Sequence, residues 1–259
     1  RRGARGAHPG RGEPIRGRPV RSGHVGRMPG SPEAVKRYPP GGAQVDDIIA
    51  LGEDEEEDGE TRGSGDALNY GSGPSYWDDR YAQHPKQTFD WLRRFSQLED
   101  IIDGASGGDS ECEILHVGCG NSDLTERMYD VGYQRIVNID NSSVVIEQMA
   151  DRNKHRPEMA WRCADATCMD FADASFDMVL DKSLLDTLAC LPLSERASQI
   201  EGYVGECVRV LRPGGTMVVV SFDNPSQRQH FLEVPEFEVS CQELPKAREY
   251  GSSHFLYLC

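Results

Sequence analysis

Two short apolar runs in the middle of the chain each end on residues that suit the binding of a nucleotide. The run 114–117 enters a turn with Gly118 and Gly120, and the run 136–139 ends on Asp140. An amphipathic stretch lies between them. Strand, glycine turn, helix, strand and terminal acid is the order by which a parallel α/β sheet forms a nucleotide pocket at the carboxyl ends of its strands. The sequence therefore predicts such a pocket around this turn.

Position 123 separates two classes of ligand for this pocket. A dinucleotide fingerprint has a third glycine there, which close packing of helix and strand requires, but this chain has Asp123. A carboxylate would also repel a pyrophosphate at the N-terminus of the helix. S-adenosylmethionine has no phosphate and carries a positively charged sulfonium, so the sequence favours this cofactor over a dinucleotide. Asp123 itself is predicted to cap the helix.

The elements that must hold these residues alternate between helix and strand. Predicted helices cover 75–81, 88–103, 144–153 and 194–211, and predicted strands cover 114–117, 136–140, 159–163, 176–180 and 216–222, followed by β-rich runs at 236–244 and 253–259. Right-handed crossovers place helices on both faces of such a sheet. The order therefore predicts a doubly wound α/β fold, with a mostly parallel, Rossmann-like sheet of seven strands and an antiparallel terminal strand pair.

The first 66 residues differ in composition from the rest of the chain. Residues 1–30 carry eight Arg against one Glu, and residues 46–66 carry ten acidic residues against one Arg. Neither segment has the apolar periodicity needed to offset the entropy of ordering. We therefore predict a disordered tail over 1–66 and a folded domain over 67–259. The folded part has 17 basic and 31 acidic side chains, which argues against nucleic acid as a partner except through the Arg-rich tail.

The eight cysteines lack the spacing that is typical of a metal site. No C-x-x-C pair occurs, and several cysteines fall inside predicted strands or helices, so no metal centre is predicted. No secretion signal is visible, and reduced cysteines in a cytoplasmic protein are expected. No apolar run approaches the roughly 18 residues that cross a bilayer, so no membrane association is expected.

Several motifs, in their order and spacing, resemble a class I, seven-strand methyltransferase that depends on S-adenosylmethionine. They are VGCGNS at 117–122, the acids Asp140 and Asp165, FDMVLDKSLLDTL at 176–188 and LRPGG at 211–215. Within that class, YWDDRY, GCGNS, DKSLLDTL and the ending HFLYL look like the lysine methyltransferase group typified by methyltransferase-like protein 13. The resemblance extends from about Tyr76 to Cys259 and implies the same fold and cofactor.

The resemblance implies a role for each candidate residue in cofactor binding. Gly118 and Gly120 would let the backbone approach the cofactor closely, and Asp140 would accept hydrogen bonds from both ribose hydroxyls. Asp165 would accept from the adenine amino group, with the backbone N–H of Ala166 beside it. The full set of candidates is Trp77, Arg80, Gly118, Cys119, Gly120, Asp140, Asn141, Asp165, Ala166, Asp181 and Lys182.

Further assignments concern the methionine end of the cofactor and the methyl acceptor. Asp181 and Lys182 are expected near the methionine portion, and Arg80 is expected to pair with its carboxylate. An acceptor lysine must first lose a proton, and Asp181 and Asp186 are the candidates for a catalytic role. This chain has Asp181 and Ser183 where relatives typically have Glu and Gly.

The resemblance also implies a protein substrate. Members of the group act on translation elongation factor 1-alpha, so we expect a protein-lysine N-methyltransferase. Two alternatives remain open, a methyltransferase for a small metabolite and a scaffold that has the fold without turnover. A metabolite pocket would need an enclosing insertion, and the links after the fourth and fifth strands are short. Intact Gly118, Gly120, Asp140 and Asp165 argue against a scaffold.

Overall fold

The computed structural model describes residues 73–246 and 252–259, and the tail predicted over 1–66 lies outside them. The helices of the described part are α1 (Pro74–Gln83), α2 (Glu99–Ser106), α3 (Leu124–Asp130), α4 (Ser143–Arg152), α5 (Leu184–Ala189), α6 (Leu193–Val210) and α7 (Pro225–Leu232), with a 3-10 turn at Phe95–Gln97. The strands are β1 (Ile114–Val117), β2 (Ile136–Asp140), β3 (Ala160–Cys163), β4 (Phe176–Lys182), β5 (Leu211–Ser221), β6 (Ser240–Leu244) and β7 (His254–Leu258).

The seven strands form one sheet in the order β3-β2-β1-β4-β5-β7-β6. Strands β1 to β5 pair in parallel, and β7 runs antiparallel to both of its neighbours. The predicted doubly wound sheet with an antiparallel terminal pair is confirmed. Because the chain continues from β1 to β2 on one side and β4 occupies the other side, the strand order reverses between β1 and β4. Open α/β sheets bind their ligands at this point.

The sheet separates two apolar layers. In β1 and β4, Ile114 and Met178 face α2 and α3, while the adjacent Leu115 and Val179 face α5 and α6. All four side chains are fully buried. Alternate residues of a strand point to opposite faces, so burial on both faces explains why these strands are nearly continuous apolar runs.

One predicted helix, over 88–103, begins only at Glu99. The residues before it follow an irregular path, and Leu92 has a φ of +64°, which is incompatible with a right-handed helix. The side chain of Asp90 forms an ion pair with Lys182 at the end of β4, with an N–O distance of 2.8 Å. This tertiary contact outweighs the apolar helical spacing of the segment, because helix propensity is a weak preference that packing overrides.

Candidate active site

A pocket of about 800 Å³ opens at the carboxyl ends of the parallel strands. We define a first lobe by the lining residues that lie on α1 or at and after the ends of β1, β2 and β3, which are Pro74, Trp77, Tyr81, Gly118, Cys119, Gly120, Asn121, Ser122, Asp140, Asn141, Cys163, Ala164, Asp165, Ala166 and Thr167. We define a second lobe by those at and after the end of β4, which are Lys182, Ser183, Leu184, Asp186, Thr187, Leu188, Cys190, Leu191, Pro192, Glu195 and Gln199. The pocket thus lies where the strand order reverses.

The carboxylate of Asp140 is held by backbone donors on both of its oxygens. Oδ2 accepts from the N–H of Gly120 at 2.9 Å, and Oδ1 accepts from the N–H of Ser142 at 3.0 Å. Burial raises the pKa of Asp140, and the hydrogen bonds from Ser142 and Gly120 act in the opposite direction. The acid is therefore oriented in the pocket wall by the protein itself. Its bonds with the ribose hydroxyls stay a prediction.

The two glycines of the turn are required by the protein as well as by a ligand. Gly118 has a φ of +62°, and a Cβ at this position would lie 2.9 Å from Cβ of Leu184 on α5. Gly120 has a φ of +51°, and its Cβ would lie 2.8 Å from the hydroxyl of Tyr81 on α1. Residues with a Cβ are strained in this backbone region. In addition, a Cβ essentially never lies less than 3.0 Å from another heavy atom of this kind. The turn is therefore enclosed by α1 and α5.

Helix α1 is tied to the sheet by Asp78, which sequence reasoning missed. Its Oδ1 accepts from the hydroxyl of Ser142 at 2.5 Å and from the N–H of Val144 at 3.4 Å. On the neighbouring face of the helix, the rings of Trp77 and Tyr81 stack with centroids 6.0 Å apart. The motif YWDDRY therefore combines an anchor, Asp78, with two aromatic residues of the pocket wall. The polar residues of this motif were the sequence signal from which the anchoring role of Asp78 could have been predicted.

Asp165 and Ala166 both line the first lobe. The side chain of Asp165 is exposed, and its Oδ1 accepts from the N–H and the hydroxyl of Thr167, each at 2.8 Å. Asn141 is exposed at the pocket, whereas Cys119 is buried beneath it. The structure thus brings these four residues together, and their contacts with adenine and ribose stay a prediction.

Arg80 packs against two aromatic residues of the pocket wall. Its guanidinium lies over the rings of Phe89 and Trp91, at 5.9 and 5.6 Å from their centroids. Phe89 and Trp91 line the pocket, but Arg80 does not. Arg80 therefore contacts two aromatic residues of the wall, and its pairing with the methionine carboxylate stays a prediction.

The structure contradicts both roles predicted for Asp181, as a catalytic residue and as a cofactor-binding residue. Its side chain is fully buried and does not line the pocket. The carboxylate accepts from the N–H groups of Leu184 and Leu185, at 2.7 and 3.0 Å, and from the hydroxyl of Tyr203 at 2.7 Å. Burial raises the pKa of Asp181 to about 7, and the hydrogen bond from Tyr203 opposes this rise. Asp181 caps α5 from inside the core and has no access to an acceptor.

Asp186 lines the pocket but is committed to the protein. Its Oδ1 lies 3.0 Å from Nε of Arg228 and accepts from the hydroxyl of Ser221 at 2.5 Å. Its Oδ2 accepts from the N–H of Phe222 at 3.1 Å. Both oxygens are engaged and the side chain is only 2% exposed, so the structure does not support a role as base. Asp186 instead joins α5 to the end of β5 and to α7.

Lys182 does line the pocket, and its partner Asp90 was missed by sequence reasoning. The ammonium lies 2.8 Å from Asp90 and donates to the carbonyl of Trp91 at 3.1 Å. Burial lowers the pKa of Lys182, and the charge of Asp90 opposes this effect. Its neighbour Ser183 has a φ of +80°, in the left-handed region that favours glycine.

His116 forms part of the pocket floor, which the sequence did not predict. Its Nδ1 lies 3.2 Å from Oδ1 of Asn138, whose amide nitrogen donates to the carbonyl of Ala160 at 3.4 Å. These bonds assign the ring proton to Nδ1 and leave Nε2 as an acceptor. Burial, and then the charge of Lys182, lower the pKa of His116 to about 4, so the ring is neutral at physiological pH.

The second lobe is apolar near its rim. Leu188, Leu191 and Pro192 line it, and the exposed carboxylate of Glu195 stands in the first turn of α6. None of the ion pairs in the part of the chain that the structure describes includes Glu195. Next to this rim, Leu193 is 82% exposed. An aliphatic chain with a cationic end would match this combination of apolar wall and acidic rim.

The lining of the whole pocket fits S-adenosylmethionine better than a phosphate-containing ligand. Among the described lining residues, Lys182 is the only Lys or Arg, and Asp90 neutralises it. The aromatic rings of Trp77, Tyr81, Phe89 and Trp91 provide faces that attract a cation. Phosphate groups need uncompensated donors or cations, whereas a sulfonium does not.

Neither a metal centre nor a membrane span is found in residues 73–246 and 252–259. In these residues no group of three or more His, Cys, Asp or Glu could hold a metal ion. No helix there is both long and apolar enough to cross a bilayer. All eight cysteines are free thiols.

Comparison with known proteins also identifies similarity to methyltransferases. A family model described as "Methyltransferase domain" matches residues 115–219. The "eEF1A lysine and N-terminal methyltransferase" of Bos taurus is 41% identical over 147 residues, which are 56% of this chain and 21% of that protein. The "EEF1A lysine methyltransferase 4" of Mus musculus is 31% identical over 166 residues, which are 61% of this chain and 64% of that protein. This chain thus spans about a fifth of the first relative.

A solved structure shares the fold. It is the N-methyltransferase NodS from Bradyrhizobium japonicum WM9 in complex with S-adenosyl-L-homocysteine, with a TM-score of 0.52 and 17% identity. The similarity covers 70% of this chain and 96% of that chain. At this identity the match supports the architecture of the sheet, and it does not extend to an acceptor.

Proposed function

We propose that this chain, which belongs to the class I S-adenosylmethionine-dependent methyltransferases, transfers a methyl group to a lysine side chain of a protein of the elongation factor 1-alpha type. The observation that carries the proposal is the second lobe, which adjoins the first lobe and has apolar walls at Leu188 and Leu191 and the acid Glu195 at its rim. A lysine has an aliphatic stem and a cationic end, and both parts match this lobe. The names of relatives that are 31 to 41% identical support the same acceptor.

The residues of the chain perform three tasks in this proposal. S-adenosylmethionine supplies a methyl group that is already activated by positive sulfur. Asp140 orients the cofactor, and the aromatic residues Phe89 and Trp91 exclude water from it. The walls formed by Leu188 and Leu191 disfavour the charged form of the acceptor amine, because desolvation lowers the pKa of an ammonium group.

No aspartate serves as the base in this proposal. Asp181 is sealed in the core, and both oxygens of Asp186 are engaged. The amine therefore loses its proton to solvent after it has passed Glu195, where the apolar walls disfavour the ammonium form, and it reaches the cofactor uncharged. The carboxylate of Glu195 attracts the ammonium form beforehand.

A second acceptor, a protein N-terminus, is favoured by the name of one relative, an eEF1A lysine and N-terminal methyltransferase. An α-amino group has a pKa of about 7.7 to 8.0, lower than the value of about 10.4 for lysine. It therefore needs less desolvation to become a nucleophile. The same lobe would admit an extended N-terminus in place of a lysine side chain.

The test is incubation of the full chain with methyl-labelled S-adenosylmethionine and purified elongation factor 1-alpha, followed by mass spectrometry of the modified peptides. Label on a lysine Nζ supports the proposal, and label on the α-amine supports the second acceptor. In a parallel incubation with a cell lysate, label that appears only in small molecules contradicts both. Cofactor binding without any turnover identifies the chain as a scaffold.

Two variants make this assay specific to the pocket. Asp140→Asn is expected to abolish labelling, because it removes the charge that faces the cofactor. Asp173→Asn is the matched control, since the side chain of Asp173 is 81% exposed and pairs with Arg209 outside the pocket. The control is expected to label the substrate at the rate of the unmodified chain.

A further inference from the structure

A segment between α1 and the 3-10 turn forms part of the pocket wall. We call residues 87–93 the strap. Phe89 and Trp91 of the strap line the pocket. At its start the strap is joined to the glycine turn, since the N–H of Phe89 donates to the carbonyl of Asn121 at 3.3 Å, and the amide of Asn121 donates to the carbonyl of Gln87 at 2.7 Å. The strap and the glycine turn are therefore hydrogen-bonded to each other at the edge of the pocket.

Asp90 connects the strap to two other segments. Its carboxylate pairs with Lys182 at 2.8 Å and accepts a short hydrogen bond from the hydroxyl of Ser122. The Lys182 side chain is 2% exposed and that of Asp90 is 12% exposed. The ammonium also donates to the carbonyl of Trp91 at 3.1 Å. A buried positive charge in the pocket wall is thus matched by one carboxylate of the strap.

Other charged groups surround this pair. Asp123 lies beside Asp90 and pairs with Arg127 at 3.0 Å. Burial acts to raise the pKa of Asp90, but the ammonium of Lys182 and the hydrogen bonds to Asp90 outweigh it, so this pKa lies below its usual range. Burial and the proximity of Asp90 raise the pKa of Asp123. Asp90 therefore remains the ionised partner of Lys182 at neutral pH.

We propose that Asp90 is a positioning residue that acts through Lys182, and that by neutralising this buried ammonium it lets the pocket hold a positively charged sulfonium. The inference rests on S-adenosylmethionine as the ligand of the proposed function. Without Asp90, Lys182 would be an uncompensated cation in the pocket wall, and it would repel S-adenosylmethionine. S-adenosylhomocysteine, which has a neutral sulfur, would not be repelled. Coulomb interactions in a partly buried site persist over several ångströms, because the effective dielectric constant is well below that of water.

The experiment is calorimetric measurement of the dissociation constants of both ligands with the full chain and with Asp90→Asn. We expect S-adenosylmethionine to bind about tenfold more weakly in the variant, and S-adenosylhomocysteine to change by less than about threefold. The ratio of the two constants is the readout, because a purely structural role of Asp90 would weaken both ligands equally. An equal loss for both ligands overturns the inference.

A second pair of variants keeps the test decisive if Asp90→Asn does not fold. Lys182→Met removes the cation and leaves the carboxylate, so the ratio is expected to shift in the opposite direction, towards S-adenosylmethionine. The double variant with Asp90→Asn and Lys182→Met is expected to return the ratio to within about twofold of the unmodified chain. A ratio that stays constant in Lys182→Met also overturns the inference.

Two comparisons separate this inference from the proposed function. Asp173→Asn, which changes an exposed carboxylate outside the pocket, is expected to leave the ratio unchanged. If the unmodified chain binds neither ligand, the assignment of the cofactor fails. If it binds both and the ratio is the same in every variant, only the role of Asp90 fails.

Discussion

The carboxylate of Asp140 accepts a hydrogen bond from the backbone N–H of Gly120, at an O–N distance of 2.9 Å. This contact joins the end of β2 to the turn after β1. The other carboxylate oxygen accepts from the N–H of Ser142 at 3.0 Å. The acid and the glycine turn therefore act as one preorganised group, because the backbone donors hold the carboxylate before a ligand arrives.

Replacement of this carboxylate tests its role in binding. In Asp140→Asn the charge is lost, and one of the two backbone donors faces an amide NH₂ instead of an oxygen. Hydrogen bonds to charged groups contribute about 1.5 to 3 kcal/mol, so we expect the affinity for S-adenosylhomocysteine to fall by about 10- to 100-fold in calorimetry. Asp151→Asn, at an exposed position of α4, is the control. An unchanged affinity in Asp140→Asn would refute the ribose assignment.

The glycine turn is expected to tolerate no side chain at position 118. In Gly118→Ala the new Cβ would lie 2.9 Å from Cβ of Leu184, with a φ of +62°. Left-handed strain costs about 1 to 2 kcal/mol and overpacking about 1 to 3 kcal/mol, so we expect the free energy of unfolding to fall by about 2 to 5 kcal/mol in urea titration.

The same chemical change elsewhere provides the control for this prediction. Gly205 lies in α6 with nothing within 4 Å of a Cβ placed there. Gly205→Ala is expected to stabilise the protein by about 0.5 to 1 kcal/mol, because alanine loses less backbone entropy in a helix than glycine. Equal effects at positions 118 and 205 would show that the contact with Leu184 is unimportant.

Ser183 occupies a backbone conformation that favours glycine, with a φ of +80°. Ser183→Gly removes the strain of a Cβ in this region but adds entropy to the unfolded chain. We expect a net gain of about 0.5 kcal/mol in the free energy of unfolding. Ser226→Gly, inside helix α7, is expected to lose about 0.5 to 1 kcal/mol. A loss of stability in both variants would contradict the prediction.

Asp181 makes part of the stability depend on pH. Burial raises its pKa to about 7 in the folded protein, against about 3.9 in an unfolded chain. The folded state therefore binds the proton more tightly, so this contribution is fully present below about pH 4 and is lost as the pH rises towards 7. In Asp181→Asn this contribution is absent.

The measurement for this prediction is the difference in the free energy of unfolding between the unmodified chain and Asp181→Asn, followed over pH. His116 and His254 have pKa values that burial lowers to about 4, so their contributions to stability are lost as the pH falls through that range, which is the opposite sign. Urea unfolding is measured for the unmodified chain and for Asp181→Asn at several pH values between 4 and 8. Both proteins contain the two histidines, so the contributions of these residues cancel in the difference between the free energies of unfolding. Parallel curves for the two proteins would disprove the role of Asp181.

Local patterns predicted most of the fold and the first lobe of the pocket. The bounds of β1 and β2 follow from contiguous apolar runs, and the positions of Gly118, Gly120 and Asp140 follow from the turn and the strand end. Such features are encoded by neighbouring residues, so one sequence suffices to find them. The prediction of a helix over the strap was wrong, because Asp90 pairs with Lys182, which lies 92 residues further along the chain. Local patterns do not reveal such a distant contact.

The neighbours Asp181 and Lys182 show what only the tertiary structure decided. By itself the sequence determined that both residues end a buried strand at the pocket edge. Adjacent side chains of a strand point to opposite faces, and in a strand that is apolar on both faces the pattern does not reveal which face meets the pocket. Packing of α5 and α6 against one face enclosed Asp181 with Tyr203, and the strap on the other face left Lys182 in the pocket wall beside Asp90.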